Sequence, residues 1–368
     1  MVSRTVPRLR ANFWRGKRVL LTGHTGFKGA WLALWLHRLG ARVTGISLEP
    51  ATQPNLFTLA GVAPLLDHHV LDIRDGPALG AVVRRSRPEV VLHLAAQALV
   101  RASYEDPALT FSTNVMGTVQ LFEALRQTAG ARVVLVATTD KVYRNRETGR
   151  AFVETDELGG HDPYSASKAA TEIVLASYRD AFLAHAGTAV ASVRAGNVIG
   201  GGDWAADRLL PDAMRAWTSG RTLAVRRPDA VRPWQHVLEP LHAYLGLAER
   251  LWHQPELASA YNSGPDPRQC STVRDVLLLA RKAYGDGDIA FAQSMEGVHE
   301  SGVLLLDSSR IRSVLGPQAS WNLTQTVSRS VAWYRAQQGG ASAQQLCNDD
   351  IAAFEAMARG AARGSPGG

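Results

Sequence analysis

The chain has 368 residues, 46% apolar and 20% charged, the proportions of an ordinary globular protein with room for about two lobes around a buried core. Its formal charge of +7 comes mostly from six basic groups in residues 1–18, and the body shows no basic stripe with interleaved aromatics, which argues against nucleic acid. No apolar run approaches the roughly 20 residues that span a bilayer, no apolar stretch follows the basic N-terminus, and Cys270 and Cys347 sit in no metal-ligand or disulfide spacing; a cytoplasmic protein without a metal or a membrane partner is expected.

The first half alternates strands and helices. A strand over 18–23 runs into an amphipathic helix over 27–39, with Trp31, Leu34 and Trp35 at helical spacing. Further strands are expected at 42–47, 69–73, 90–95, 133–138 and 190–197, with helices at 77–85, 111–127 and 165–183 between them. Strands alternating with helices pair in parallel through right-handed crossovers, which predicts an α/β fold built on a doubly wound parallel Rossmann sheet. Beyond about residue 200 the regularity breaks. Residues 200–204 and the proline-bearing 226–234 read as loops, 236–251 as a helix, and the stretch to about 340 as smaller mixed elements. Gly339-Gly340 reads as a linker, followed by a short helix over 344–357 and a frayed tail from 359. The expected organisation is a dinucleotide-binding domain over 1–200 plus about 232–262, and a smaller, discontinuous C-terminal α/β substrate lobe over about 201–231 plus 263–340. A C-terminal helix and flexible tail would occupy 341–368.

Between the first strand and first helix, Gly23, Gly26 and Gly29 form G-x-x-G-x-x-G. The first glycine permits the tight turn, the second lets backbone approach a pyrophosphate, and the third lets helix pack on strand, with helix-start N–H groups facing the phosphates. A dinucleotide is expected here, with His24, Thr25, Phe27 and Lys28 completing the loop. Lys28 has two readings, a phosphate contact or a solvated lysine of the first helical turn. An acid at the end of the second strand commonly holds the adenine ribose. Here Glu49 stands two positions late, so the residues alone give only a lean towards NAD over NADP.

Tyr164 and Lys168 lie four apart on the helix expected from 165, which stacks them on one face. An ammonium beside a phenol stabilises phenolate, so a lowered tyrosine pKa and an acid/base role are expected. Some 25 residues earlier a strand ends in Thr138-Thr139-Asp140-Lys141, at the edge of a parallel sheet where ligands bind. Thr139 can orient a substrate oxygen towards Tyr164. Asp140 and Lys141 exceed the needs of hydride chemistry; they are either an ion pair at a strand end or a proton donor and its neighbour.

The loop, Thr139 and the Tyr/Lys pair together resemble the extended short-chain dehydrogenase/reductases, whose second lobe binds nucleotide sugars. Further stretches are similar to the CDP-glucose 4,6-dehydratases over residues 12 to 335: Phe13-Trp14-Arg15-Gly16-Lys17-Arg18, His93-Leu94-Ala95-Ala96-Gln97, Thr113-Asn114-Val115-Met116-Gly117-Thr118 and Arg232-Pro233-Trp234-Gln235-His236-Val237. The run Arg194-Ala195-Gly196-Asn197-Val198-Ile199-Gly200 and the triplet Thr139-Asp140-Lys141 belong to the same likeness. Dehydratases for dTDP-glucose carry glutamate where Lys141 stands, which makes that lysine the most discriminating residue.

The resemblance implies NAD as cofactor and CDP-glucose as substrate, turned into a 4-keto-6-deoxy sugar. Tyr164 would take the C4 hydroxyl proton, Asp140 would protonate the departing C6 hydroxyl, and Lys141 would stand where a C5 base is needed. A charged ammonium accepts no proton, so Lys141 must be neutral at that step or stabilise the enolate instead; the base role is slightly favoured. The resemblance also implies adenine contacts at Asp72 and Ile73, further cofactor contacts at Ala95 and Ala96, and substrate contacts at Gln97, Asn197, Arg208, Arg232 and His236. Asn114 reads as a helix-bracing residue. A homodimer paired through 103–127 and 164–185 is implied in the same way. A 4-epimerase, or a dehydratase for another nucleotide hexose, is the alternative.

Overall fold

The computed structural model describes residues 9–292, 302–317 and 319–361. The residues expected to form a frayed tail lie outside that range from 362 onwards, as do residues 1–8 of the N-terminal basic arm.

Seven parallel strands make the central sheet: β1 (Arg18–Thr22), β2 (Arg42–Ser47), β3 (Asp67–Val70), β4 (Val90–His93), β5 (Val133–Thr139), β6 (Ala189–Ala195) and β7 (Ala260–Ser263), in the order β7-β6-β5-β4-β1-β2-β3. β5 and β6 are buried along their whole length, which is why they read as unbroken apolar runs. Successive side chains of β5 feed opposite faces: Val133 and Leu135 join one core, Val134 and Val136 the other. The larger core includes α1 (Phe27–Arg38), whose Trp31 and Trp35 are fully buried. The other face carries the Gly76–Ser86 and Gly117–Arg126 helices and part of α2 (Pro163–Tyr178). Strand order reverses beside β1, between β2 and β4, and this opens a crevice at the carboxyl ends of the strands.

The helix expected over 111–127 begins four residues earlier: Asp106 caps it at Pro107, and it runs to Arg126 with one widened π turn over Ser112–Met116. The strand expected over 69–73 is Asp67–Val70, and the loop expected over 226–234 contains a two-residue strand, Val231–Arg232, paired with Ser271–Thr272. Leu223–Val225 pairs with Ile289–Phe291, and the Leu209–Thr218 and Val273–Tyr284 helices pack beside them. α3 (Leu238–His253) lies under β5 and β6, and α4 (Ala343–Ala361) packs on α1, where Trp35 Nε1 donates to Glu355 at 2.9 Å.

A short helix, Ala11–Trp14, precedes β1. Trp14 is fully buried and its indole donates to Glu249 at 2.8 Å, while the Arg10 amide reaches the same oxygen at 2.9 Å. Lys17 sets its ammonium 3.7 Å from the centre of the Trp252 ring and 3.6 Å from Glu89. Both cysteines are free. Among the described residues no helix is long and apolar enough to cross a membrane, and no cluster of His, Cys, Asp and Glu is arranged to hold a metal ion.

Candidate active site

A cavity of about 1130 Å³ follows the carboxyl edge of the sheet, from the glycine loop to the lobe beyond β6. At its first end the loop is pinned by backbone: Gly23 N donates to Ile46 O at 2.8 Å and Gly26 N to Gly23 O at 3.2 Å. Thr25 ties the loop to the end of β2 through Ser47 (2.6 Å) and the Leu48 carbonyl (2.9 Å). Gly23 adopts φ +78° and lies so close to Ala95 that a Cβ would fall 2.7 Å from its amide nitrogen. A Cβ on Gly29 would fall 2.0 Å from the Gly23 carbonyl oxygen. No side chain can stand at either place, and the start of α1, with no acid in its first turn, presents backbone N–H groups to the cavity. The cradle fits a dinucleotide pyrophosphate.

Asp72, Ile73, Ala95 and Ala96 line the same end. Asp72 accepts from the Arg74 guanidinium at 2.6 Å, and that hydrogen bond holds its carboxyl below the usual range. His24 does not reach the cavity. Its ring turns under the loop against His68 (2.7 Å), and burial followed by His68 drives its pKa down to about 4. Lys28 is half-buried and partnered: its Nζ donates to Tyr244 on α3 at 2.7 Å, and burial, then Arg208 and Lys168, lower its pKa to about 7.

At the cavity's centre β5 ends in Thr139, which caps the short turn Asp140–Val142. The Thr139 hydroxyl donates to Asp140 Oδ1 at 3.0 Å, and Lys141 Nζ donates to that same oxygen at 3.0 Å. Asp140 Oδ2 is buried and has no hydrogen-bond partner. Opposite, α2 begins at an Asp162 cap that accepts from Ser165 N at 2.9 Å, with Pro163 in the first turn. This places Tyr164 and Lys168 on the cavity wall, both almost fully buried. The expected lowering of the tyrosine is not what the structure shows. Burial pushes Tyr164 up to about 12, with the Thr139 hydroxyl opposing the shift. Burial of the phenol outweighs that hydroxyl, and the Lys168 ammonium donates to the Ala137 carbonyl at 3.2 Å. Lys168 is itself lowered to about 8 by burial, opposed by Glu172.

At the far end Asn197, Arg208 and Arg232 line the cavity. Asn197 Oδ1 is buried without a partner, Arg208 pairs with Asp203 at 3.2 Å, and Arg232 donates to the Val231 carbonyl at 2.9 Å. Gln97 and His236 are not brought there. The Gln97 amide is bound by Leu99 and Thr110, and the His236 ring sits between Trp31 and Trp321, where burial holds it neutral with a pKa near 3. Asn114 braces the site, donating to Ser167 of α2 at 2.8 Å and to the Gln97 carbonyl at 3.0 Å. Two participants went unread in the sequence. Tyr244 carries no local signal. Glu172 does, standing four residues beyond Lys168 on the same helical stripe.

Comparison with known proteins agrees with this arrangement. The family model for GDP-mannose 4,6 dehydratase matches residues 20–257. The CDP-glucose 4,6-dehydratase of Salmonella typhimurium is 44% identical over 331 residues, which cover 88% of this chain and 92% of that one. Among solved structures, Thermus thermophilus UDP-glucose 4-epimerase in complex with NAD is similar with a TM-score of 0.72 and 26% identity, over 86% of this chain and 98% of that one. Bacillus anthracis dTDP-glucose 4,6-dehydratase in complex with NAD shares the fold, with a TM-score of 0.72 and 21% identity over 87% of this chain and 97% of that one.

Proposed function

The chain belongs to the GDP-mannose 4,6-dehydratase family, and from that premise we propose that it is a nucleotide-sugar 4,6-dehydratase converting CDP-D-glucose to CDP-4-keto-6-deoxy-D-glucose. The likeness to the Salmonella typhimurium protein supports the choice of nucleotide. The observation that carries the dehydratase reading is the unpartnered Oδ2 of Asp140 on the cavity wall, an acid that oxidation and reduction alone do not require.

NAD is the cofactor whose pyrophosphate the Gly23–Gly29 cradle fits, and when bound it supplies the acceptor for the C4 hydride and its donor to C6. Thr25, Asp72, Ile73, Ala95 and Ala96 would hold its remaining parts. Tyr164 takes the proton of the C4 hydroxyl as the phenolate, a form that its burial opposes and that the Lys168 ammonium on the same helix face favours, with Thr139 orienting the substrate oxygen. The ketone formed at C4 acidifies the C5 proton. Lys141, bound to Asp140, stands on the cavity wall as the base for that proton or the charge that stabilises the enolate. With Oδ2 carrying the proton at the start of this step, Asp140 gives it to the departing C6 hydroxyl and is left as the carboxylate that pairs with the ammonium Lys141 becomes on taking the C5 proton. Asn197, Arg208 and Arg232 bind the substrate's diphosphate and sugar, the guanidinium fork suiting phosphate oxygens.

The domain boundaries follow the same reading: 1–200 with about 232–262 bind the cofactor, and 201–231 with 263–340 bind the nucleotide sugar. A homodimer is part of the proposal, since Tyr104, Phe111, Met116, Ile173 and Phe182 expose apolar side chains on the two segments expected to pair.

Incubating purified protein with CDP-glucose and catalytic NAD tests the reading, with a 4-keto-6-deoxy product expected. Turnover of another sugar nucleotide in place of CDP-glucose would overturn the substrate. Release of a C4 epimer would overturn the dehydration.

A further inference from the structure

One buried ion pair stands directly behind the site without a part in the chemistry above. The Glu172 side chain is 3% exposed and accepts from Arg194 of β6, 4% exposed, at 2.8 Å. Thr138, the residue before Thr139, donates to the other Glu172 oxygen at 2.5 Å, and Ser192 donates at 2.8 Å to the oxygen that Arg194 holds. Arg194 also donates to the Tyr143 hydroxyl at 2.9 Å, and Tyr143 in turn donates to Asn262 at 2.6 Å. A pair this deeply desolvated is weak evidence for stability, because the cost of taking two charges out of water offsets their attraction. Its placement is more telling. Thr138 and Tyr143 bracket the Asp140–Val142 turn, and Glu172 and Arg194 hold both of them.

We propose that Glu172 is a positioning residue of this site: with Arg194 it clamps both ends of the turn that carries Asp140 and Lys141, and it sets a negative charge one helical turn from the Lys168 ammonium. The inference rests on the reading of Tyr164 and Lys168 as the acid–base pair. The charged and titratable groups about Lys168 are Lys28 of α1, His93 of β4, Asp140 after β5, and Tyr164 and Glu172 of α2, with Arg194 behind Glu172. His93 is neutral, held near a pKa of 3 by burial and then by Lys168, and Lys28 repels a second ammonium. Glu172 is the carboxylate that counters the burial of Lys168.

Glu172→Gln keeps the size and removes the charge. In the folded variant kcat is expected to fall roughly tenfold or more, with KM for CDP-glucose within about twofold. The basic limb of the kcat–pH profile should move down by about one unit, because the ammonium loses its counter-charge and gives up its proton more readily. Trace acetylation of Lys168 by acetic anhydride across pH, read by mass spectrometry, should show the same downward shift with no substrate present. Glu172→Asp should return the limb towards its original position. An unmoved limb and an unmoved labelling midpoint in folded E172Q overturn the inference. Wild-type protein inert towards CDP-glucose would sink the functional reading, and the labelling midpoint would still decide this one. Should E172Q fail to fold, Thr138→Val, which keeps the charge and removes one donor, is expected to lower kcat without moving the limb; unchanged kcat overturns the clamp.

Discussion

Lys141 and Thr139 converge on one oxygen of Asp140, each at 3.0 Å, and leave the second oxygen without a partner. The carboxylate is thereby oriented from one side by a hydroxyl and an ammonium, while its free edge lies on the cavity wall. In the proposed reaction an Asp–Lys pair built this way divides elimination between two neighbouring groups on one turn.

Lys141→Arg keeps the positive charge beside Asp140 but cannot present a neutral amine. If Lys141 is the C5 base, the variant still oxidises C4 and stalls before water leaves. The expected record is loss of 4-keto-6-deoxy product by roughly 10²–10⁴-fold, with reduced cofactor accumulating at 340 nm. Full activity would show that the charge alone suffices.

Asp140→Asn removes the proton donor and preserves the shape. Water loss should fall by roughly 10²–10⁴-fold, and exchange of the C5 proton with deuterated solvent should persist, because the C4 ketone still forms. A variant that dehydrates at the wild-type rate places the acid elsewhere.

Gly29→Ala puts a methyl group where the Gly23 carbonyl stands, 2.0 Å away. Strand and helix must part, at a cost of about 1–3 kcal/mol, and the phosphate cradle widens. NAD affinity measured by calorimetry should drop at least about tenfold, with a lower Tm. Wild-type affinity would mean that the cofactor does not use this cradle.

Burial raises the Glu239 carboxyl to about 8, against an ordinary value of 4.5. The folded chain therefore holds a proton there that the unfolded chain has lost between about 4.5 and 8. The stability it contributes is present below 4.5 and is lost as pH climbs through about 8. Glu239→Gln, which can still accept from His236 N, should raise Tm at pH 8.5 and leave it nearly unchanged at pH 4.5. Parallel pH–Tm curves for the two proteins would contradict this.

Ile173 is 62% exposed on α2, and Met116 is 49% exposed on the segment expected to pair with it. Ile173→Asp should shift the protein from dimer to monomer in light scattering at micromolar concentration, since a buried charge is costly in an apolar interface. A dimer of unchanged affinity would place the contact on another face.

What was legible in the sequence is what depends on periodicity and glycine. β5 and β6 announce themselves because both their faces are buried, and the loop announces itself because Gly23 and Gly29 occupy places that exclude any side chain. The start of the helix that ends at Arg126 was also written there, as Asp106-Pro107, a cap followed by a residue at home in a first turn. Side-chain direction was not. His24, Gln97 and His236 lie within matching stretches, yet their rings and amide turn away from the cavity because His68, Thr110 and Trp321 bind them from the other side. The direction of the Tyr164 pKa is not legible either, since spacing brings Lys168 to the same face but does not show how deeply the phenol is buried.

The stretch ahead of β1 has a practical meaning at the bench. Arg10 and Trp14 supply the donors that reach the half-sequestered carboxylate of Glu249, whereas Arg15 and Arg18 are solvent-exposed and so open to a trypsin-like protease. A cut after Arg15 would release the indole plug and take from Glu249, on α3, the two donors that reach it here. Any recombinant version trimmed to start at the first strand should be expected to come out of the cell poorly soluble, with its nucleotide loop still intact.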